Sequence, residues 1–232
     1  MRAPLCCCGS SAISLPSFFL PSPFPRNPSP RPARSLSVST AEPQASEEAS
    51  AQPLHRRRLI LLRHAESALG DRFTKGRDHG RPLSKLGRTD AISVSYKLQQ
   101  MGWIPELILS SNATRTKETL QIMQEHAQGF SEAEVYFIPS FYSVAAMDGQ
   151  TAEHLQKAIC EYSRDEILTV MCMGHNRGWE EAASMFSGAT VELKTSNAAL
   201  LEATGKSWDE AFTLAGLGGW KLCGVVKPDS TL

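Results

Sequence analysis

Acidic residues are absent from the start of this 232-residue chain: Met1 to Ala41 holds no Asp or Glu. Ser and Pro recur there, and Arg2, Arg26, Arg31 and Arg34 supply the charge, which is the composition of an organelle transit peptide. Prolines at 16, 21, 23, 25, 28, 30 and 32 deny the segment an amphipathic helix. A plastid (stromal) address is therefore expected, with the mitochondrion as the alternative. Ala12 to Leu20 is apolar enough to make a secretory signal the rival reading.

Surplus charge is also absent. Lys and Arg number 24 and Asp and Glu 24, so there is no bulk attraction to nucleic acid or anionic lipid. Any binding of phosphate has to rest on local clusters of Arg and Lys. No apolar run is long enough, free of Pro and charge, to span a bilayer. Cysteines number six: the adjacent Cys6, Cys7 and Cys8, and the scattered Cys160, Cys172 and Cys223. They show neither a CxxC pair nor zinc spacing, and three scattered thiols make no disulfide framework. Cys160 and Cys172 lie in apolar patterns and read as small buried hydrophobes.

What is present divides at about residue 54. Ala41 to Pro53 is polar and rich in small residues, so residues 1–53 read as a transit peptide and disordered linker, and 54–232 as one domain. Apolar runs and helical patterns then alternate. Strands are expected at Leu59 to Leu62, Leu107 to Leu109, Val135 to Ile138 and Ile167 to Met173. Helices are expected from the N-cap Ser84 to Gly102, at Thr114 to His126, at Thr151 to Tyr162 and at Trp179 to Phe186. Ala198 to Leu201 and Trp220 to Val226 read as closing strands around a short helix, which Ser207 and Glu210 open with a capping box. The alternation predicts an α/β three-layer sandwich, a mostly parallel central sheet with helices on both faces. In such sheets ligands gather at the carboxyl ends of the strands.

Reactive side chains fall at those ends. Leu62-Arg63-His64-Ala65-Glu66-Ser67, Ser111-Asn112-Ala113-Thr114-Arg115-Thr116 and Gly174-His175-Asn176-Arg177 each follow an apolar run. Asp78-His79-Gly80-Arg81-Pro82-Leu83-Ser84 lies in the long loop before the first helix. Two histidines and several arginines at one sheet edge suggest a phosphoryl site. The guanidinium fork matches phosphate oxygens, and a neutral imidazole nitrogen can accept a phosphoryl group, splitting one transfer into two easier steps.

With Arg63-His64-Ala65, Ser111 to Arg115 and Gly174-His175 in this order, the chain resembles the histidine phosphatase, or phosphoglycerate mutase-like, superfamily. The resemblance extends over nearly all of Leu59 to Pro228. Arg81-Pro82-Leu83 with Gly87 behind it is similar to the small SixA-type branch of phosphohistidine phosphatases. It implies His64 as nucleophile, Arg63, Arg81 and Arg115 as phosphate clamps, and His175 as a hydrogen-bonding partner of the phosphoryl group. Neither a cofactor nor a metal is implied. Two positions depart from the branch pattern: Gly80 stands where Asp often precedes the Arg, and Arg177 where Pro is common. The first leaves Asp78 as the candidate proton donor, with Glu66 and Glu153 as alternatives; the second either adds a positive charge to the pocket rim or reshapes the loop, and Asn176 beside it is a candidate substrate-binding residue.

The expected activity is a phosphatase acting on a phosphorylated small molecule or a phosphohistidine protein. The alternatives are a silent phosphoanion-binding module and a phosphoglycerate mutase-like transferase. His79, His126 and His154 read as surface histidines, and Trp103, Trp179, Trp208 and Trp220 as core or its rim. Arg56-Arg57-Arg58 reads as a solvated edge or the end of the transit region, not a nucleic-acid site.

Overall fold

The structure is a computed structural model and describes residues 54–68 and 78–229; the transit sequence and linker expected over 1–53 lie outside the described residues. The chain runs β1 (His55–Arg63), α1 (Lys85–Gln100), β2 (Leu107–Ser110), α2 (Thr114–His126), α3 (Gln128–Ser131) and β3 (Glu134–Phe137). It continues with α4 (Ser140–Val144), α5 (Thr151–Tyr162), β4 (Thr169–Gly174), α6 (Gly178–Ser187), β5 (Ala198–Gly205), α7 (Trp208–Ala215) and β6 (Lys221–Val226). The strands form one sheet in the order β3-β2-β4-β1-β5-β6. Pairs from β3 to β1 are parallel, whereas β5 and β6 join antiparallel.

Side-chain alternation along the strands builds two cores. Leu59 and Leu61 of β1, Leu107 and Leu109 of β2, and Val170 and Cys172 of β4 face α5, α6 and α7. The alternate residues Ile60, Leu62, Ile108, Met171 and Met173 face α1, α2 and α3. Both faces are therefore covered, as the continuous apolar runs require. Cys172 is fully buried and Cys160 half-buried against the first core, so both act as hydrophobes there; burial pushes the Cys160 thiol up to about 11. Among the described residues no helix is long and apolar enough to cross a membrane.

Local chemistry explains the element boundaries. Ser84 caps α1, its side chain accepting from Gly87 N at 3.0 Å, and Ser207 does the same for Glu210 N in α7. A Cβ on Gly87 would stand 2.1 Å from the Glu66 carbonyl oxygen, so glycine is what lets α1 start against the loop after β1. The short helices α3 and α4 and a 3-10 turn at Asp78–Gly80 carry too few residues to show a period, and sequence reasoning does not find them.

The basic run before the first strand needs correction. Arg56, Arg57 and Arg58 lie inside β1, and Arg57 is fully buried. Its guanidinium donates to the carbonyls of Gly205 (3.3 Å), Asp165 (2.7 Å) and Ile167 (2.9 Å), and contacts that of Lys206. A guanidinium can be buried where chain ends leave several carbonyls unpaired, and β1, β4 and β5 bring such ends together here. Arg58 pairs with Glu202 and lies over the Trp103 ring.

Candidate active site

The parallel strands β1, β2 and β4 end at one edge, with Arg63 opposite Gly174 and Ser110 opposite Met173. His64, Ser111 and His175 are the next residues of each strand, so residues far apart in sequence become neighbours. Gly174 permits the turn: a Cβ there would come within 2.3 Å of the Trp179 ring, which α6 lays beneath it. Helix α2 is tied to β1 because Thr119 Oγ1 accepts from Ala65 N at 3.1 Å and donates to the Arg115 carbonyl at 2.6 Å.

His64 is buried, with Nδ1 2.7 Å from the Ala65 carbonyl and Nε2 3.0 Å from Arg115 Nε. Since a carbonyl only accepts and a guanidinium only donates, Nδ1 carries the proton and Nε2 the lone pair. His175 is oriented the same way in reverse. Its Nδ1 lies 3.2 Å from Arg115 Nη2 and accepts, so Nε2 donates to Ser111 Oγ at 2.8 Å. Burial lowers the His64 pKa to about 4, against the Ala65 hydrogen bond and with help from the charges of Arg115 and Arg63. Burial, His64 and Arg115 take His175 to about 3. Both rings are neutral at physiological pH, and the His64 Nε2 lone pair faces a guanidinium.

Arg115 is almost wholly buried and serves as the hub. Besides the two histidines, its Nη1 donates to the Asp78 carbonyl at 2.7 Å and its Nη2 to Asp78 Oδ2 at 2.9 Å. Glu118, the partner it could have found on its own helix, instead accepts from Leu83 N and Arg88. Arg63 is half-buried, its Nη1 donating to the Leu193 carbonyl at 2.8 Å while its buried Nε has no hydrogen-bond partner among the described residues. Burial lowers the Arg63 pKa against the opposing charge of Glu180. Glu180, in the first turn of α6, also accepts from Leu193 N at 2.8 Å, so it holds the segment that aims Arg63. Arg81 pairs with Asp78, and its buried Nε is likewise without a partner among the described residues.

Asp78 reaches the site, but as an anion. Burial would raise its pKa; the Tyr142 hydroxyl, Arg115 and Arg81 outweigh that and hold it below the usual carboxylate range. In this arrangement it has no proton to give at neutral pH. Tyr142 donates to Asp78 Oδ2 at 2.9 Å and sets its ring edge-on to His175 at 5.1 Å. Asn176 is exposed on the loop after β4, away from the hydrogen bonds of His64, Arg115 and His175. Arg177 beside it takes φ 56°, with Gly178 N bonded to the Asn176 carbonyl at 2.8 Å. Proline cannot adopt that φ, so the departure at 177 reshapes this turn. The Arg177 guanidinium points to Asp148 at 3.7 Å.

Among the other candidates, Glu66 accepts from Ser84 Oγ at 2.7 Å and Glu153 is exposed on α5. His79 contacts Asn112 Oδ1 at 2.8 Å and faces Tyr142 edge-on, closer to the site than a surface histidine would be. Among the described residues no group of three or more His, Cys, Asp or Glu is placed to hold a metal ion. Sequence reasoning missed Tyr142 and Glu180. Tyr142 follows β3 at the same carboxyl edge, a position the sheet rule could have flagged, whereas nothing in the sequence links Glu180 to Arg63.

Known proteins resemble this chain in sequence and in fold. The histidine phosphatase superfamily (branch 1) model matches residues 59–158. An uncharacterised chloroplastic protein of Arabidopsis thaliana is 57% identical over 220 residues, covering 94% of this chain and 96% of that one. A solved structure from Agrobacterium tumefaciens, assigned as the phosphohistidine phosphatase SixA, shares the fold with a TM-score of 0.56 at 23% identity. It covers 74% of this chain and 98% of its own. A structure of the same assignment from Nakamurella multipartitia has a TM-score of 0.60 at 21% identity, covering 75% and 98%. With its strand-end histidines and buried arginine at the carboxyl edge of a mostly parallel sheet, the chain belongs to the histidine phosphatase superfamily.

Proposed function

We propose that this chain is a phosphatase that forms a covalent phosphohistidine on Nε2 of His64. The observation that carries the reading is the state of that nitrogen: unprotonated, fixed by the Nδ1 bond to Ala65, and facing the donors of Arg115. An incoming phosphoryl group would take over the Arg115 Nε–H with one of its oxygens and so uncover the lone pair. Nε2 then attacks phosphorus as the bond to the leaving group breaks. Arg63, Arg81 and Arg115 hold the negative charge on the equatorial oxygens, and the Nε–H groups of Arg63 and Arg81, without partners among the described residues, supply donors for it. Water next breaks the phosphorus–nitrogen bond, releasing inorganic phosphate and restoring the neutral ring.

The reading extends to substrate class. An alkoxide leaving group needs a proton, and Asp78 holds none while it is paired with Arg115 and Arg81. An imidazole leaving group is much less basic and needs little proton donation. Phosphohistidine on a protein is therefore the favoured substrate, with small phosphomonoesters second, and the neighbours assigned as SixA agree with that choice. The domain is taken to be 54–232, preceded by a plastid transit sequence. The chloroplastic relative matching 94% of the chain supports that address.

The test is to trap the intermediate. Wild-type protein mixed briefly with a phosphohistidine substrate and quenched should carry one acid-labile phosphoryl group, detected by mass. His64→Ala should carry none and turn over no substrate while its circular dichroism is unchanged. Near wild-type rates in that variant would overturn the mechanism. Tight phosphate binding without turnover in the wild type would favour a phosphoanion-binding module.

A further inference from the structure

Asp78 is the residue whose contacts depart furthest from its expected role. Its Oδ2 accepts from Arg115 Nη2 and from the Tyr142 hydroxyl, both at 2.9 Å, and its Oδ1 pairs with Arg81. Its backbone carbonyl takes Arg115 Nη1 at 2.7 Å. Those guanidinium groups are the ones that would hold a phosphoryl group above His64. A carboxylate and a phosphoryl group present similar oxygen pairs to an arginine fork, so both cannot hold the same donors at once. The side chain also borders solvent. It is 46% exposed, its 3-10 turn contains no buried residue, and a Cβ on neighbouring Gly80 would meet nothing within 4 Å.

We propose that the Asp78 carboxylate is a built-in competitor for phosphate: it occupies the arginine donors, yields them to the incoming phosphoryl group, and returns to displace the product. The inference rests on the phosphoryl-site reading above and assigns Asp78 a part distinct from proton donation. Its physical basis is a shared set of donors. An enzyme whose arginines were uncompensated would hold its inorganic phosphate product tightly, because a buried guanidinium lacking a counter-anion gains most from any anion that arrives. A tethered carboxylate lowers the apparent affinity by the fraction of time that it leaves the donors open, so an open fraction of about one in ten weakens phosphate about tenfold. Substrate and product are weakened alike, but only the product has to leave for the next turnover.

The competitor and the general acid predict different results for one substitution. Titration calorimetry of the full chain with inorganic phosphate, for wild type, Asp78→Asn and Asp78→Ala, separates them, with circular dichroism establishing that each variant is folded. Both variants are expected to bind phosphate at least tenfold more tightly, and the product-inhibition constant should fall in parallel. Unchanged or weaker phosphate binding in a folded variant would overturn the proposal, and either substitution suffices if the other fails to fold. Phosphate binding by none of the three proteins would instead sink the phosphoryl-site reading and this inference with it.

Discussion

Arg115 connects both histidines of the site with Asp78. One guanidinium donates from Nε to His64, from Nη1 to the Asp78 carbonyl, and from Nη2 to both Asp78 and His175. A lysine has the charge but neither the planar fork nor the reach to serve three residues from one head group. Arg115→Lys is therefore expected to lose about 100- to 1,000-fold in kcat/KM, the scale seen when one oxyanion donor is removed. Steady-state kinetics on an aryl phosphate would measure it. A loss under tenfold would mean that positive charge alone suffices and that the fork geometry is immaterial.

Two arginines of β1 do different work because the strand has two ends. Arg63, at the carboxyl end, joins the site; Arg57, at the other, bridges carbonyls of β5, the α5–β4 connection and the turn before α7. Arg57→Leu would leave the buried carbonyls of Gly205 and Ile167 without this donor, at about 1–3 kcal/mol for each group left unpaired. A marked fall in the urea midpoint is expected, with kcat little changed at temperatures where the variant stays folded. An unchanged midpoint would show that the carbonyls find other partners. Helix α6 makes a comparable division: Trp179 packs beneath Gly174, while Glu180 one residue later secures the segment at Leu193 that aims Arg63.

Two neutral buried histidines make the fold itself pH-sensitive. His64 and His175 sit at about 4 and about 3, below the ~6.5 of an unfolded histidine. The unfolded chain therefore binds more protons, and stability rises with pH across this interval. The contribution is full above about pH 6.5 and is lost as pH falls through the folded values. A tenfold change in proton affinity is worth about 1.4 kcal/mol, so each unit of pH below the unfolded value costs the fold about that much for each ring that stays neutral. Denaturant midpoints measured from pH 7 to pH 4 should fall, and fall less in His175→Gln. Equal slopes in the two proteins would show that His175 is not held neutral by the fold. For the same reason the acid limb of activity that belongs to His64 should lie near pH 4 and not near pH 6.5.

The order of apolar runs and helical stripes was enough to state the layered α/β architecture, since each stripe can be buried only against a sheet, and three strand-end motifs were enough to name His64, Arg63, Arg115 and His175. These are local signals, carried by period and by spacing. The roles of Asp78, Tyr142, Glu180 and Arg57 were not legible in that way. Asp78 reads as a proton donor until Arg81, Arg115 and Tyr142 close around it. Arg57 reads as a solvated charge until the end of β5 and the α5–β4 connection offer it their carbonyls. The protonation of a carboxylate and the burial of a guanidinium depend on charges and acceptors within a few ångströms. Only the folding of distant segments onto one edge or the other of the sheet sets which groups those are.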